Sequence, residues 1–148
     1  MTELRITFLG TGTSVGVPMI GCDCEVCRSD DPRDKRLRAS VLISYGGHNL
    51  VIDTGPDFRT QCLRVGLKRL DAVIYTHAHT DHVMGFDDLR RFCAGPPGKI
   101  RVYGSAETLT DLERIYHFAF NGTAQFPGYT RPDPRVISGE FECCGLSV

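Results

Sequence analysis

At 148 residues, 41% apolar and 24% charged, the chain has ordinary globular make-up, which excludes wholesale disorder. Its 17 Lys and Arg nearly balance 18 Asp and Glu, and a net charge of −1 excludes a general attraction to nucleic acid or anionic membranes as the organising principle. No apolar run approaches the roughly 20 residues needed to span a bilayer, and the opening MTELRITFLG has neither the basic nor the apolar segment of a secretory signal.

Taken in order, Leu4, Ile6 and Phe8 alternate with polar residues and predict a strand with one buried face. LGTGTSVGVPMIG follows, too rich in Gly and Pro to be anything but loop. From Cys22 to Arg38 the chain is charged and interrupted by Pro32, which predicts a solvated loop. ASVLISY and HNLVID read as two strands turning at Gly46-Gly47. DFRTQCLRVG has helical spacing and a stop at Gly66. DAVIYT is a short apolar run of the kind covered on both faces of a sheet. FDDLRRF fits a short helix, KIRVYG a strand, and SAETLTDLERIYHFAF a long helix capped by Ser105, with His117 in its core-facing part. Residues 121–134 read as loop, and VISGEFECCGLSV as a strand still alternating at the chain end. Strands alternating with helices make this an α/β layered fold, a single domain over 1–148.

Seven cysteines is an odd number, and Cys22, Cys24 and Cys27 are crowded together. Without an export signal they predict reduced thiols, a cytoplasmic protein and a structural zinc rather than disulfides. Three thiolates are one short of the four ligands that close such a site, and Cys143 or Cys144 completes it only if the fold brings them near.

The strongest signal is Thr76-His77-Ala78-His79-Thr80-Asp81-His82, which places three of the five histidines on a turn leaving a buried strand. A strand end is a rigid platform, and imidazole and carboxylate suit zinc or manganese. His77 and His79 can grip one divalent ion, Asp81 and His82 a second. Two such ions can clamp a displacement at phosphorus. A solvated histidine-rich turn is the plain alternative, and this spacing argues against it.

Other motifs carry less. Asp53-Thr54-Gly55 also occurs in aspartic proteases, but that reading leaves the histidines and cysteines unexplained. Gly10-Thr11-Gly12 opens no helix, so a dinucleotide site is improbable; a plain turn or a loop near a phosphate fits equally. Arg33, Lys35, Arg36 and Arg38 read as a solvated face, and Asp87, Asp88 and Arg90 as charges that pair with each other or support the ligand turn.

The sequence resembles the metallo-β-lactamase superfamily, whose His-x-His-x-Asp-His hallmark is His77, His79, Asp81 and His82 here, with Asp53 ending LVIDTG upstream. The resemblance implies an αββα sandwich, two divalent metal ions (zinc or manganese), Asp81 as both ligand and catalytic carboxylate, and Asp53 as the group that orients the ligand turn. FLGTGTSVGVP, the cysteine triplet and HAHTDHVMGFDDLR further resemble its phosphodiesterase branch, which includes an enzyme that opens phosphoribosyl cyclic phosphate. That branch implies a structural zinc at Cys22, Cys24 and Cys27, and hydrolysis of a small cyclic phosphate or nucleotide-like ester by a metal-bridging hydroxide. The alternatives are a tRNA 3′-processing endonuclease, a thioester hydrolase of the same superfamily, and a truncated, inactive metal-binding domain. A family sandwich has two halves, and 148 residues hold the first and the start of the second. The expectation is therefore a chain incomplete at its C-terminus, with an exposed sheet face and a tendency to homodimerise.

Overall fold

In a computed structural model, which describes residues 3–122 and 128–148, six strands form one mixed sheet. β1 (Leu4–Gly10), β2 (Ser40–Tyr45) and β3 (His48–Ile52) run antiparallel in sequence. β4 (Ala72–Ile74), β5 (Ile100–Gly104) and β6 (Pro132–Val136) then add in parallel, in spatial order β1 to β6. Pro132 and Pro134 are tolerated because β6 is an edge strand, where missing N–H groups cost no ladder bond on the open side.

Helices cover one face. α1 (Glu25–Arg28) lies in the loop after β1, α2 (Phe58–Val65) joins β3 to β4, and α3 (Thr80–Val83) follows β4. A 3-10 helix over Phe86–Phe92 leads towards β5, and α4 (Ala106–Ile115) and α5 (His117–Phe120) follow it. Val51, Val73 and Val102 stand side by side across β3, β4 and β5 and are wholly buried against this layer, together with Phe58, Phe86, Leu89 and Leu112. Their neighbours Leu50, Ala72, Ile74 and Tyr103 point the other way, where β7 (Glu142–Cys143) and β8 (Leu146–Ser147) form a hairpin over them. The apolar DAVIYT run is thus covered on both faces, as its composition requires. Among the described residues no helix is long and apolar enough to cross a membrane.

Four elements depart from the sequence reading. Leu4, Ile6 and Phe8 form a strand, but they are 52%, 57% and 67% exposed. They lie on the face opposite the helices, beside Tyr45, Ile43 and Val41, and the β7–β8 hairpin covers only the sheet centre. The long helix breaks at Tyr116, whose ring stacks on Phe86 at 4.4 Å and whose hydroxyl donates to the Val83 carbonyl at 2.9 Å. His117, one residue on, is exposed rather than core. The final alternating segment is no single strand: β6 ends at Val136 and a separate hairpin turns at Cys144 and Gly145, both with positive φ. The expected loop over 121–134 gives way to β6 at Pro132, and residues 123–127 of it lie outside the described residues.

Candidate metal centre

β3 and β4 are adjacent parallel strands, so their C-terminal ends open side by side. Asp53 follows β3, and its N–H still donates to the Ile74 carbonyl of β4 at 2.9 Å. It then turns at φ 60°, a conformation Asp tolerates better than most residues, and its carboxylate is buried facing the end of β4. Oδ1 accepts the Thr76 N–H at 2.9 Å, and Oδ2 accepts the Thr76 hydroxyl and the His82 Nδ1–H, both at 2.8 Å.

These bonds decide the tautomers. With Nδ1–H given to Asp53, the His82 lone pair is left on Nε2. Thr76 spends its one hydroxyl proton on Asp53, so the contact between its oxygen and His77 Nδ1 at 2.9 Å is donated by the ring. His77 too keeps a free Nε2. One buried carboxylate therefore orients two imidazoles so that each keeps its lone pair on Nε2.

The rings converge. The His77 centroid is 4.6 Å from that of His79 and 4.1 Å from that of His82. His82 Nε2 lies 3.2 Å from Asp81 Oδ2. Two ligands of one tetrahedral zinc, each about 2.0–2.1 Å from it, sit about 3.3 Å apart, so this pair fits a shared ion. His79 is the exposed N-cap of α3, and its carbonyl accepts the His82 N–H at 2.9 Å, closing the turn.

The turn is held from behind by close backbone packing. Thr54 N–H donates to the His82 carbonyl and Gly85 N–H to the Thr54 carbonyl, each at 2.8 Å. A Cβ on Gly55 would fall 2.1 Å from the Asp81 carbonyl oxygen, and one on Gly85 2.4 Å from that of Gly55. The Thr54 hydroxyl meets Tyr75 OH at 2.5 Å, and burial pushes that phenol well above its usual range. The Asp-Thr-Gly triplet is thus a support, with its carboxylate already engaged by Thr76 and His82.

The cysteines gather separately at α1, where the Sγ atoms of Cys22, Cys24 and Cys27 lie within 4.8 Å of one another. Sulfurs bound to one zinc are about 3.8 Å apart, so small adjustments suffice. Cys24 caps α1, accepting the Cys27 N–H at 3.5 Å; that bond and the neighbouring thiols hold it below the ordinary thiol value. Cys27 accepts from Met19 N–H, yet the Cys22 and Cys24 thiols keep its proton on. Cys143 is buried in the cluster under the hairpin, and Cys144 contacts Arg101, so neither closes the site.

Sequence reasoning missed the surroundings that Thr76, Glu107, Asp111 and Arg38 supply. Thr76 relays Asp53 to His77, which its place beside the motif could have signalled. Glu107 and Asp111 of α4 line a hollow of about 300 Å³ together with His77 and His79. Arg38, read as solvated, is half-buried: its Nη1 meets both Asp57 carboxylate oxygens at 3.1 Å and its Nε donates to the Ser14 carbonyl at 2.8 Å. Asp87 and Arg90 pair with each other at 3.3 Å, and Gly10 and Gly12 pack against the backbone of residues 36–38.

Residues 48–147 match the beta-lactamase superfamily domain. The chain is 45% identical to an octanoyltransferase of Porphyromonas gingivalis over 126 residues, which is 84% of this chain and 25% of that protein. Its structure superposes on that of a diphosphatase from the PhnP family with a TM-score of 0.87 and 38% identity, covering 99% of this chain and 56% of that one. Zinc-bound PqqB from Methylobacterium extorquens shares the fold, with a TM-score of 0.70 and 22% identity over 96% of this chain and 48% of that one. The chain spans a quarter of the octanoyltransferase and just over half of the diphosphatase.

Proposed function

As this chain belongs to the beta-lactamase superfamily, we propose that it carries the ligand-bearing part of a metal-dependent hydrolase acting on a small phosphorus ester, a phosphodiester or a diphosphate. The observation that carries this reading is the Asp53 network, which leaves Nε2 of both His77 and His82 free beside His79 and Asp81. Likeness to a diphosphatase at 38% identity supports the substrate class.

His77 and His79 would hold one divalent ion, and Asp81 with His82 the other. Ions there supply positive charge for phosphate oxygens and lower the pKa of water. The protein's own share is orientation. Asp53 fixes ring rotation and tautomer, and the Gly55–Gly85 packing sets the turn that would present Asp81 beside His82 as a ligand. Glu107 lines the adjoining hollow, where Asp111 is paired with Arg114 at 3.1 Å. Cys22, Cys24 and Cys27 would hold a structural zinc, supported by the proximity of their sulfurs.

The test is hydrolysis of bis(p-nitrophenyl) phosphate with added zinc or manganese, beside a tRNA precursor with a 3′ trailer. The expected result is diester cleavage that falls, together with bound metal, in His79→Ala. Unchanged metal content in that variant overturns the assignment, and cleavage confined to the tRNA precursor moves it to RNA processing.

A further inference from the structure

A second concave region lies on the helical layer, and no residue of the histidine turn lines it. One hollow of about 570 Å³ runs between α2 and the 3-10 helix, with Phe58, Leu63, Leu67 and Phe92 as its apolar lining. A second, of about 380 Å³, continues over the loops preceding β4 and β5. Lys68, Arg91 and Phe92 line both and form the ridge between them.

The charge around these hollows is one-sided. Arg59, Lys68, Arg91 and Lys99 are exposed, and among the described residues none has a carboxylate within 4.0 Å. Of the carboxylates in the lining, Asp71 is held by Arg69 at 2.6 Å and Asp133 by Arg135 at 2.8 Å, which leaves Asp88 as the remaining negative charge. Four unpaired cations around an apolar floor, in a chain of net charge −1, is a local concentration. The nucleophile at hand is inert: burial pushes the Cys62 thiol up to about 12. The region is equipped to bind, not to react.

We propose that this groove binds a free nucleoside polyphosphate. A planar base suits Phe92, Leu63 and Leu67 in the first hollow, whose volume lies within the roughly 300–1,000 Å³ usual for small-ligand sites. The phosphates fall to Lys68 and Arg91 on the ridge and to Lys99 in the second hollow. Arg and Lys together supply the fork and point charges that phosphates need. A short groove with one partly exposed aromatic ring, Phe92, rather than a long stripe of cations with several exposed aromatic rings, favours a free nucleotide over a strand.

The test uses the His79→Ala background, which removes one of the proposed ligands from the histidine turn, and follows fluorescent N-methylanthraniloyl-ADP and a labelled ten-nucleotide single-stranded RNA by anisotropy. The expected result is saturable nucleotide binding, competed by ATP, whose Kd rises tenfold or more in Lys68→Glu/Arg91→Glu. The matched reversal Arg33→Glu/Lys35→Glu leaves it within twofold. Equal weakening by both pairs, no saturable binding, or RNA binding tighter than the nucleotide each overturns the proposal. Circular dichroism of the variants separates loss of binding from loss of fold.

Discussion

The Asp53 carboxylate receives the His82 Nδ1–H at 2.8 Å across 29 residues of sequence, joining the end of β3 to the turn that leaves β4. Because the same carboxylate holds Thr76 by backbone and side chain, it sets the whole turn. Asp53→Asn puts an NH2 group where one acceptor oxygen stood, and is expected to lower metal affinity and hydrolysis roughly 10–100-fold. Equilibrium dialysis against zinc and initial-rate assays check this; an unchanged zinc affinity would remove Asp53 from its role.

Gly55→Ala tests the packing behind the ligands. Its Cβ would meet the Asp81 carbonyl oxygen at 2.1 Å, so the backbone must move. The expected cost is about 3 kcal/mol in urea unfolding, with loss of metal binding at the histidine turn. Gly47→Ala, with nothing near its Cβ but a φ of 81°, is expected to lose stability through backbone strain alone and keep its metal.

Two cation sites are expected to empty independently by substitution. His79→Ala is expected to lose metal at the turn while the thiolate site stays filled, and Cys24→Ser the reverse. Inductively coupled plasma mass spectrometry after desalting counts the ions. Loss of all metal in both variants would contradict separate sites.

Alkaline pH is expected to unfold the chain. The buried Cys62 thiol ionises near 12 when folded against an ordinary 9.0, and the Tyr116 phenol near 12 against 10.0. Between those values the unfolded chain gives up protons that the folded chain retains. Stability therefore falls as pH rises from about 9 towards 12, with an upper bound for Cys62 of about 4 kcal/mol at about 1.4 kcal/mol per pKa unit. Urea titrations from pH 8 to 11 follow the slope, and Cys62→Ala is expected to flatten it.

The open stripe on β1 is expected to make the chain associate. Leu4, Ile6 and Phe8 are all more than half exposed, and β1 is an edge strand. Sedimentation velocity is expected to show concentration-dependent self-association that Ile6→Lys/Phe8→Lys suppresses. A monomer at high concentration would show that this face needs no cover.

Most strands and the histidine turn were legible because period and motif are local properties. The face to which β1 turns its apolar side was not, since alternation gives two sides without saying which the helices take. Tyr116 broke a continuous helical pattern through contacts with Phe86 and Val83, more than thirty positions upstream in the case of Val83. At the candidate site the motif singled out His77, His79, Asp81, His82 and Asp53, but Thr76 as relay emerges only from hydrogen-bond directions. The cations around Lys68 and Arg91 were hidden for another reason: a net charge sums over the surface and erases patches.

Arg38 binds Asp57 at the start of α2 and the Ser14 carbonyl in the excursion that bears the cysteines, and its Cβ lies 3.9 Å from the Cβ position of Gly55, whose neighbour is Asp81. One side chain thus ties the excursion to the start of α2 and to the backbone behind the turn, so Arg38→Ala would loosen both attachments at once.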